Sequence, residues 1–183
     1  MTKKNKTVAI EFPNQYYVLG ADLALKRPGF CLISVKNKSI DEVFLMSVDN
    51  KTDKKKTHGE LLNDIVEAFK KFCPHEGTVY LVRENEIMKQ KIPSERSLSK
   101  VVGVMDWVAW WTNKEWYSLY PMTIKKLIAG SGKADKAEVA AALKYYIGPQ
   151  DYKCNDESDA AAVAVAWLIQ QGQIEAKENG NGS

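Results

Sequence analysis

Histidine is almost absent from this chain, whose 183 residues include only His58 and His75. That leaves little material for zinc sites or for triads in which an imidazole carries the proton. Cysteine is scarce as well. Cys31, Cys73 and Cys154 are odd in number and widely spaced, and two of them stand in apolar surroundings, so they read as buried thiols and not as a disulfide framework. No apolar run approaches the roughly 20 residues that a membrane-spanning helix needs. The basic Met1–Lys6 is followed by VAIEF, too short for the core of a secretion signal. These absences predict a cytoplasmic protein with no membrane partner. A phosphate loop is missing too: GSGKAD at 130–135 resembles one, yet Leu127 stands where the earlier glycine is required and Ala134 replaces the hydroxyl residue. Any metal serving this chain is therefore expected to be a hard ion held by oxygen.

What is present suits one α/β domain over 15–172, with a flexible leader over 1–14 and a disordered tail over 173–183. The net charge of +3 is small, but the basic residues are grouped. KTDKKK at 51–56 holds Lys54, Lys55 and Lys56; Lys89, Lys91, Arg96 and Lys100 form a second group; Lys125, Lys126, Lys133 and Lys136 form a third. Each group alone is an ordinary solvated face, whereas three of them suit contact with phosphates.

Three apolar runs, Tyr16–Ala21, Phe30–Val35 and Val43–Val48, are joined by PG and KNKS turns and predict an antiparallel meander. Thr57 with Glu60 forms a capping-box signal before a helical repeat that ends near Pro74. TVYLV at 78–82 reads as a buried strand, and the helical repeat from Ser94 or Ser97 to Trp111 carries Gly103 in its middle, where another backbone could approach. Trp107, Trp110, Trp111 and Trp116 are expected in the core or at a subunit contact. A strand over Glu115–Tyr120, helices over Thr123–Ala129 and Lys136–Ile147, and a last helix from near Asn155 to Gln171 complete the order.

Carboxylates mark the ends of these elements. Asp22 closes the first strand, Glu84 and Glu86 follow the fourth, and Asp156 and Asp159 share a face in the first turn of the last helix, before an alanine-rich body. Acids in a first helical turn also serve as caps and dipole partners. If the last helix lies beside the first and fourth strands, Asp22, Glu84, Asp156 and Asp159 meet, and bare they would raise one another's pKa. Two Mg²⁺ ions would neutralise them and equip the site for in-line phosphoryl displacement.

In element order the chain resembles the ribonuclease H fold, a central five-stranded mixed sheet flanked by helices, and in detail the RuvC family of Holliday-junction resolvases. Asp22 with Gly29, Glu84 with Met88, and Asp156-x-x-Asp159-Ala160 match the family's carboxylate motifs, and Lys125 followed by Gly130-x-Gly132-x-Ala134-x-Lys136 matches its basic segment. The likeness spans roughly 16–170. It implies a homodimeric, Mg²⁺-dependent endonuclease, with Mn²⁺ substituting, that nicks four-way junctions and other branched DNA symmetrically. The four carboxylates would bind metal, Lys125 and Lys136 would serve the scissile phosphate, and Lys54, Lys55, Lys56, Lys89, Lys91, Lys126 and Lys133 would hold DNA. The helix ending at Trp111 is the expected dimer face. Leu23-Ala24 stands where bacterial members usually have Pro-Gly, and Ile87 where they carry an aromatic residue, which implies broader cutting. The short, lysine-rich form resembles the phage-encoded branch, such as that of lactococcal phages, which implies the cytoplasm of a bacterial host. Two other readings stay open from the residues alone: a ribonuclease H-like nuclease with a different nucleic-acid substrate, and a junction-binding module whose acids only cap helices.

Overall fold

Strand β1 (Gln15–Asp22) is the centre of the molecule because both of its faces are covered. The computed structural model describes residues 10–51, 55–85 and 93–177. β1 pairs antiparallel with β2 (Gly29–Lys36), which pairs antiparallel with β3 (Ser39–Ser47). On its other side β1 runs parallel to β4 (Val79–Glu84), which runs parallel to β5 (Trp116–Leu119). The expected α/β architecture is thus present, with strand order β3-β2-β1-β4-β5 and helices on both faces. The β2–β3 turn places Asn37 and Lys38 at φ 51° and 59°, the left-handed pair that a tight hairpin needs.

Alternation along the strands builds two cores. Val18, Cys31, Ile33 and Val82 face one layer, made by α3 (Pro121–Ala129), α4 (Lys136–Ile147) and α5 (Asn155–Gln170). Leu19, Ala21, Phe30, Leu32 and Leu81 face the other, made by α1 (His58–Phe72) and α2 (Pro93–Trp111). Helix α5 is buried from Ala160 to Ile169, all round its axis, as its alanine-rich sequence allows. Two glycines let it lie close against the sheet. A Cβ on Gly20 would sit 2.3 Å from the Ala160 carbonyl oxygen, and one on Gly29 would sit 2.1 Å from that of Asp156.

The caps follow local chemistry. Thr57 and Glu60 form the expected capping box of α1, and Asp135 with Glu138 forms another at α4. Helix α3 begins at Pro121, two residues before the expected Thr123, because a proline at the first helical position needs no amide partner. Both proposed chain-end segments contribute to the core: Ile10 and Phe12 pack against it, and Gln173 is buried with its side-chain carbonyl accepting from the Tyr16 hydroxyl at 3.1 Å. These contacts lie beside the expected boundaries at 15 and 172. The tryptophans divide between the two expected places: Trp116 packs against the core, and the other three stand outside it. Trp107, Trp110 and Trp111 are 55%, 74% and 60% exposed, because the buried stripe of α2 runs through Val101, Met105, Val108 and Ala109 instead. Around Gly103 nothing lies within 4 Å, so its space is open.

Candidate active site

The parallel pairing of β1 with β4 ends at Ala21 opposite Arg83, which puts Asp22 and Glu84 side by side one residue later, at the same rim of the sheet. Helix α5 starts over that rim, since Asp156 lies against Gly29, the register partner of Asp22. Helices α3 and α4 close the remaining side. The result is a cleft of about 240 Å³ bounded by Asp22, Glu84, Lys125, Lys136 and Asp159, with Pro121, Ile124, Val139 and Ala162 as its apolar wall. One residue from each of β1, β4, α3, α4 and α5 supplies a charge.

The carboxylates strain against one another. Burial pushes Asp22 up to about 7, and the charges of Asp159, Asp156 and Glu84 push the same way, against Lys136. Glu84 is raised by the protein around it and by Asp159, while Lys136 and Lys125 oppose the rise. Lys136 donates to Asp159 in an ion pair, and that hydrogen bond heads the causes that raise the lysine's own pKa, against some loss of solvent. The lysine is thus the cleft's resident counter-charge. Asp156 does not bound the cleft but is close enough for its charge to act on Asp22.

The donor set is all oxygen, and its mutual repulsion is what a hard divalent cation relieves. Among the described residues, no three His, Cys, Asp or Glu side chains already stand together as a ready metal cage. An arriving cation therefore meets a site in which Asp159 is turned to Lys136. In donor chemistry the residues fit Mg²⁺ or Mn²⁺, with Asp22, Glu84, Asp156 and Asp159 as the oxygen donors.

Around the cleft, Lys126 and Lys133 are exposed, on α3 and on the α3–α4 loop. Lys55 and Lys56 are also exposed, Lys56 in an ion pair with Asp64 at 2.7 Å. Lys54, Lys89, Lys91, Glu86, Ile87 and Met88 lie outside the described residues. Glu84, the carboxylate expected on the fourth strand, faces the cleft. Sequence reasoning passed over Glu157. It is 1% exposed and accepts from the Ser47 hydroxyl and from the Lys153 amide, both at 2.8 Å. In sequence it is one more acid in a first helical turn, and only the packing of α5 on β3 distinguishes it.

Comparison with known proteins gives one consistent answer. The family model described as "Crossover junction endodeoxyribonuclease RuvC" matches residues 18–167. The protein of that name from Wolbachia sp. subsp. Brugia malayi (strain TRS) is 30% identical over 155 residues, covering 82% of this chain and 93% of its own. Its namesake from Wolbachia sp. subsp. Drosophila simulans (strain wRi) is 28% identical over 159 residues, covering 85% and 95%. Among solved structures, T. thermophilus RuvC in complex with a Holliday junction substrate superposes with a TM-score of 0.71 at 20% identity, over 86% of this chain and 97% of that one. That likeness assigns the ribonuclease H-like fold.

Proposed function

The chain belongs to the RuvC family of crossover junction endodeoxyribonucleases, and from that premise we propose that it binds four-way DNA junctions and other branched DNA and nicks opposing strands by metal-assisted phosphodiester hydrolysis. The observation that carries this reading is the convergence of Asp22, Glu84, Asp159, Lys125 and Lys136 on one cleft. Capping alone gives no reason for acids from two strand ends and a helix to share a cleft with two ammonium groups.

The chain's own residues divide the work. Asp22, Glu84, Asp156 and Asp159 would hold the metal, two Mg²⁺ ions per site with Mn²⁺ as substitute. When bound, such ions supply an activated water and charge stabilisation at the leaving oxygen. Lys125 and Lys136 face the position of the scissile phosphate and stabilise the negative charge that grows there. Lys136 is already poised for this, because Asp159 holds its ammonium at the cleft wall. The apolar wall of Ile124, Val139 and Ala162 keeps bulk water from part of the site and strengthens each of these interactions. Lys126 and Lys133, with the basic residues at 54–56 and at 89 and 91, guide the flanking DNA backbone.

The site works in pairs. Symmetric nicking needs two active sites related by a dyad, and the face that would supply it is the outer side of α2. There Trp107 and Trp111 stack at 5.9 Å and 4°, Trp110 stands 74% exposed, and the open surface at Gly103 lets a second backbone approach. The lysine-rich composition supports placing the protein in the phage-encoded branch, acting in the cytoplasm of a bacterial host, and the departures at Leu23-Ala24 and Ile87 support relaxed sequence choice. Among the described residues no helix is long and apolar enough to cross a membrane.

The test is cleavage of an end-labelled immobile four-way junction beside linear duplex and RNA·DNA hybrid, with Mg²⁺ or with EDTA. Symmetric nicks on branched DNA alone, and only with metal, are expected. Binding without cutting under any metal would reduce the protein to a junction-binding module, and cutting of the hybrid would move it to a different substrate of the same fold.

A further inference from the structure

Glu157 is a buried acid that the cleft itself does not use. It lies in the first turn of α5 between Asp156 and Asp159, yet its side chain points away from them, to β3 and to the segment before the helix. One carboxylate oxygen accepts from Ser47 Oγ and the other from the Lys153 amide, each at 2.8 Å. Among the described residues no cation pairs with it, and its charge adds to the burial that raises the neighbouring Cys31 thiol. A carboxylate with so little solvent and no counter-ion is a poor device for stability, because an apolar side chain of the same volume would serve the core as well or better. Its geometry suggests a different use.

Helix α5 starts without the ordinary cap: Cys154 holds the cap position and its side chain makes no capping hydrogen bond. Glu157 instead ties the helix start back to the segment before it, by accepting from the Lys153 amide from inside the helix. Through Ser47 it also ties the same turn to the end of β3. That turn rests directly on the sheet, with the Asp156 backbone against Gly29, beside Asp22. A slip of the first turn would therefore move Asp156 and Asp159 relative to Asp22 and Glu84.

Resting on the reading of the cleft given above, we infer that Glu157 is a positioning residue: its two hydrogen bonds clamp the start of α5 so that Asp156 and Asp159 meet Asp22 and Glu84 at the separation a divalent cation requires. The carboxylate shape matters here, not the charge. A glutamine keeps one carbonyl acceptor for Lys153 and an amide that the Ser47 oxygen can accept from, whereas methionine fills the volume and holds neither.

The test is a Mn²⁺ titration of the DNA-free protein, followed by water-proton relaxation, for wild type, Glu157→Met, Glu157→Gln and Ser47→Ala. Loss of a supporting partner typically weakens metal binding about 10- to 100-fold. Glu157→Met is expected to weaken Mn²⁺ binding by at least about tenfold while still folding, Ser47→Ala by about threefold, and Glu157→Gln by less than about threefold. If Glu157→Met does not fold, the Ser47→Ala and Glu157→Gln pair decides. Wild-type affinity in both Glu157→Met and Ser47→Ala, or equal losses in Gln and Met, overturns the inference. Because the titration needs no DNA, it stands apart from the junction assay: a wild type that binds Mn²⁺ but cuts no junction refutes the proposed substrate and leaves the clamp to be judged on the affinities alone.

Discussion

Replacing Asp22 by asparagine isolates the electrostatic cost of assembling this cleft. The carboxyl is pushed from an ordinary 3.8 to about 7, by burial first and then by Asp159, Asp156 and Glu84. Each pH unit between those values corresponds to about 1.4 kcal/mol, so the ionised side chain costs the metal-free fold about 4 kcal/mol. The direction follows from linkage. With its folded pKa raised, Asp22 favours the folded state fully below pH ~4, and that advantage is lost progressively as the pH rises to about 7. Asparagine has no such proton to lose. Urea unfolding in EDTA from pH 4 to 8 should therefore show wild type losing stability relative to Asp22→Asn across that window, with the difference reaching about 4 kcal/mol at pH 8. Added Mg²⁺ should return stability to wild type at pH 8, by about 2.7 kcal/mol at a hundredfold excess over its dissociation constant, and should do little for the mutant. A stability difference that stays flat from pH 4 to 8 would refute the reasoning, since it would mean that Asp22 ionises in the fold as it does in the unfolded chain.

The other expectations concern cutting, binding and assembly. Glu84→Gln should reduce junction nicking by at least about a hundredfold while binding in EDTA stays equal or tightens, because a charge repelling phosphate is gone; retained nicking would shift the role to Glu86. Changing Lys54, Lys55 and Lys56 together to alanine should weaken binding and lower the log–log salt slope by up to about 0.9 for each lysine that touches a phosphate, with an unchanged slope marking them as bystanders. If the proposed pairing runs through α2, Trp110→Lys should sediment as a smaller species than wild type, and an unaltered mass would clear α2 of the subunit contact. Gly20→Ala should cost about 3 kcal/mol or more in urea unfolding, because its Cβ would lie 2.3 Å from the rigid Ala160 backbone; a cost below about 1 kcal/mol would show that α5 can retreat.

Much of the fold is legible along the chain because its elements announce themselves locally. Positions 29–35 are buried without a break, and such a continuous apolar run reads as a strand covered on both faces. The capping-box signal at Thr57 marks the start of α1 within a residue. What local pattern cannot carry is the direction of an aromatic side chain on a helix with a mixed surface. Trp107 and Trp111 are four apart on α2 and form a stripe as regular as Val101, Met105 and Val108, and only the tertiary contact of α2 with α1 and the sheet decides which stripe is buried. Likewise the places of Phe12 and Gln173 against the core follow from partners far along the chain, Trp167 for the first and Tyr16 for the second.

The cleft was legible for a different reason. Burying or crowding an acid is costly, so an acid at the end of an apolar strand calls for a partner, and Asp22, Glu84 and the Asp156–Asp159 pair each raise that demand separately. Their meeting requires only that β1 and β4 be parallel neighbours and that α5 lie across their ends, and Gly20 and Gly29 are the residues that permit the second condition. Glu157 raised no such demand in sequence, since its partners are a hydroxyl 110 positions away and a backbone amide in a loop. The distinction is physical: carboxylates crowded together at the ends of apolar elements betray themselves by their charge, whereas Glu157 is satisfied by hydrogen bonds and stays silent until the chain is folded.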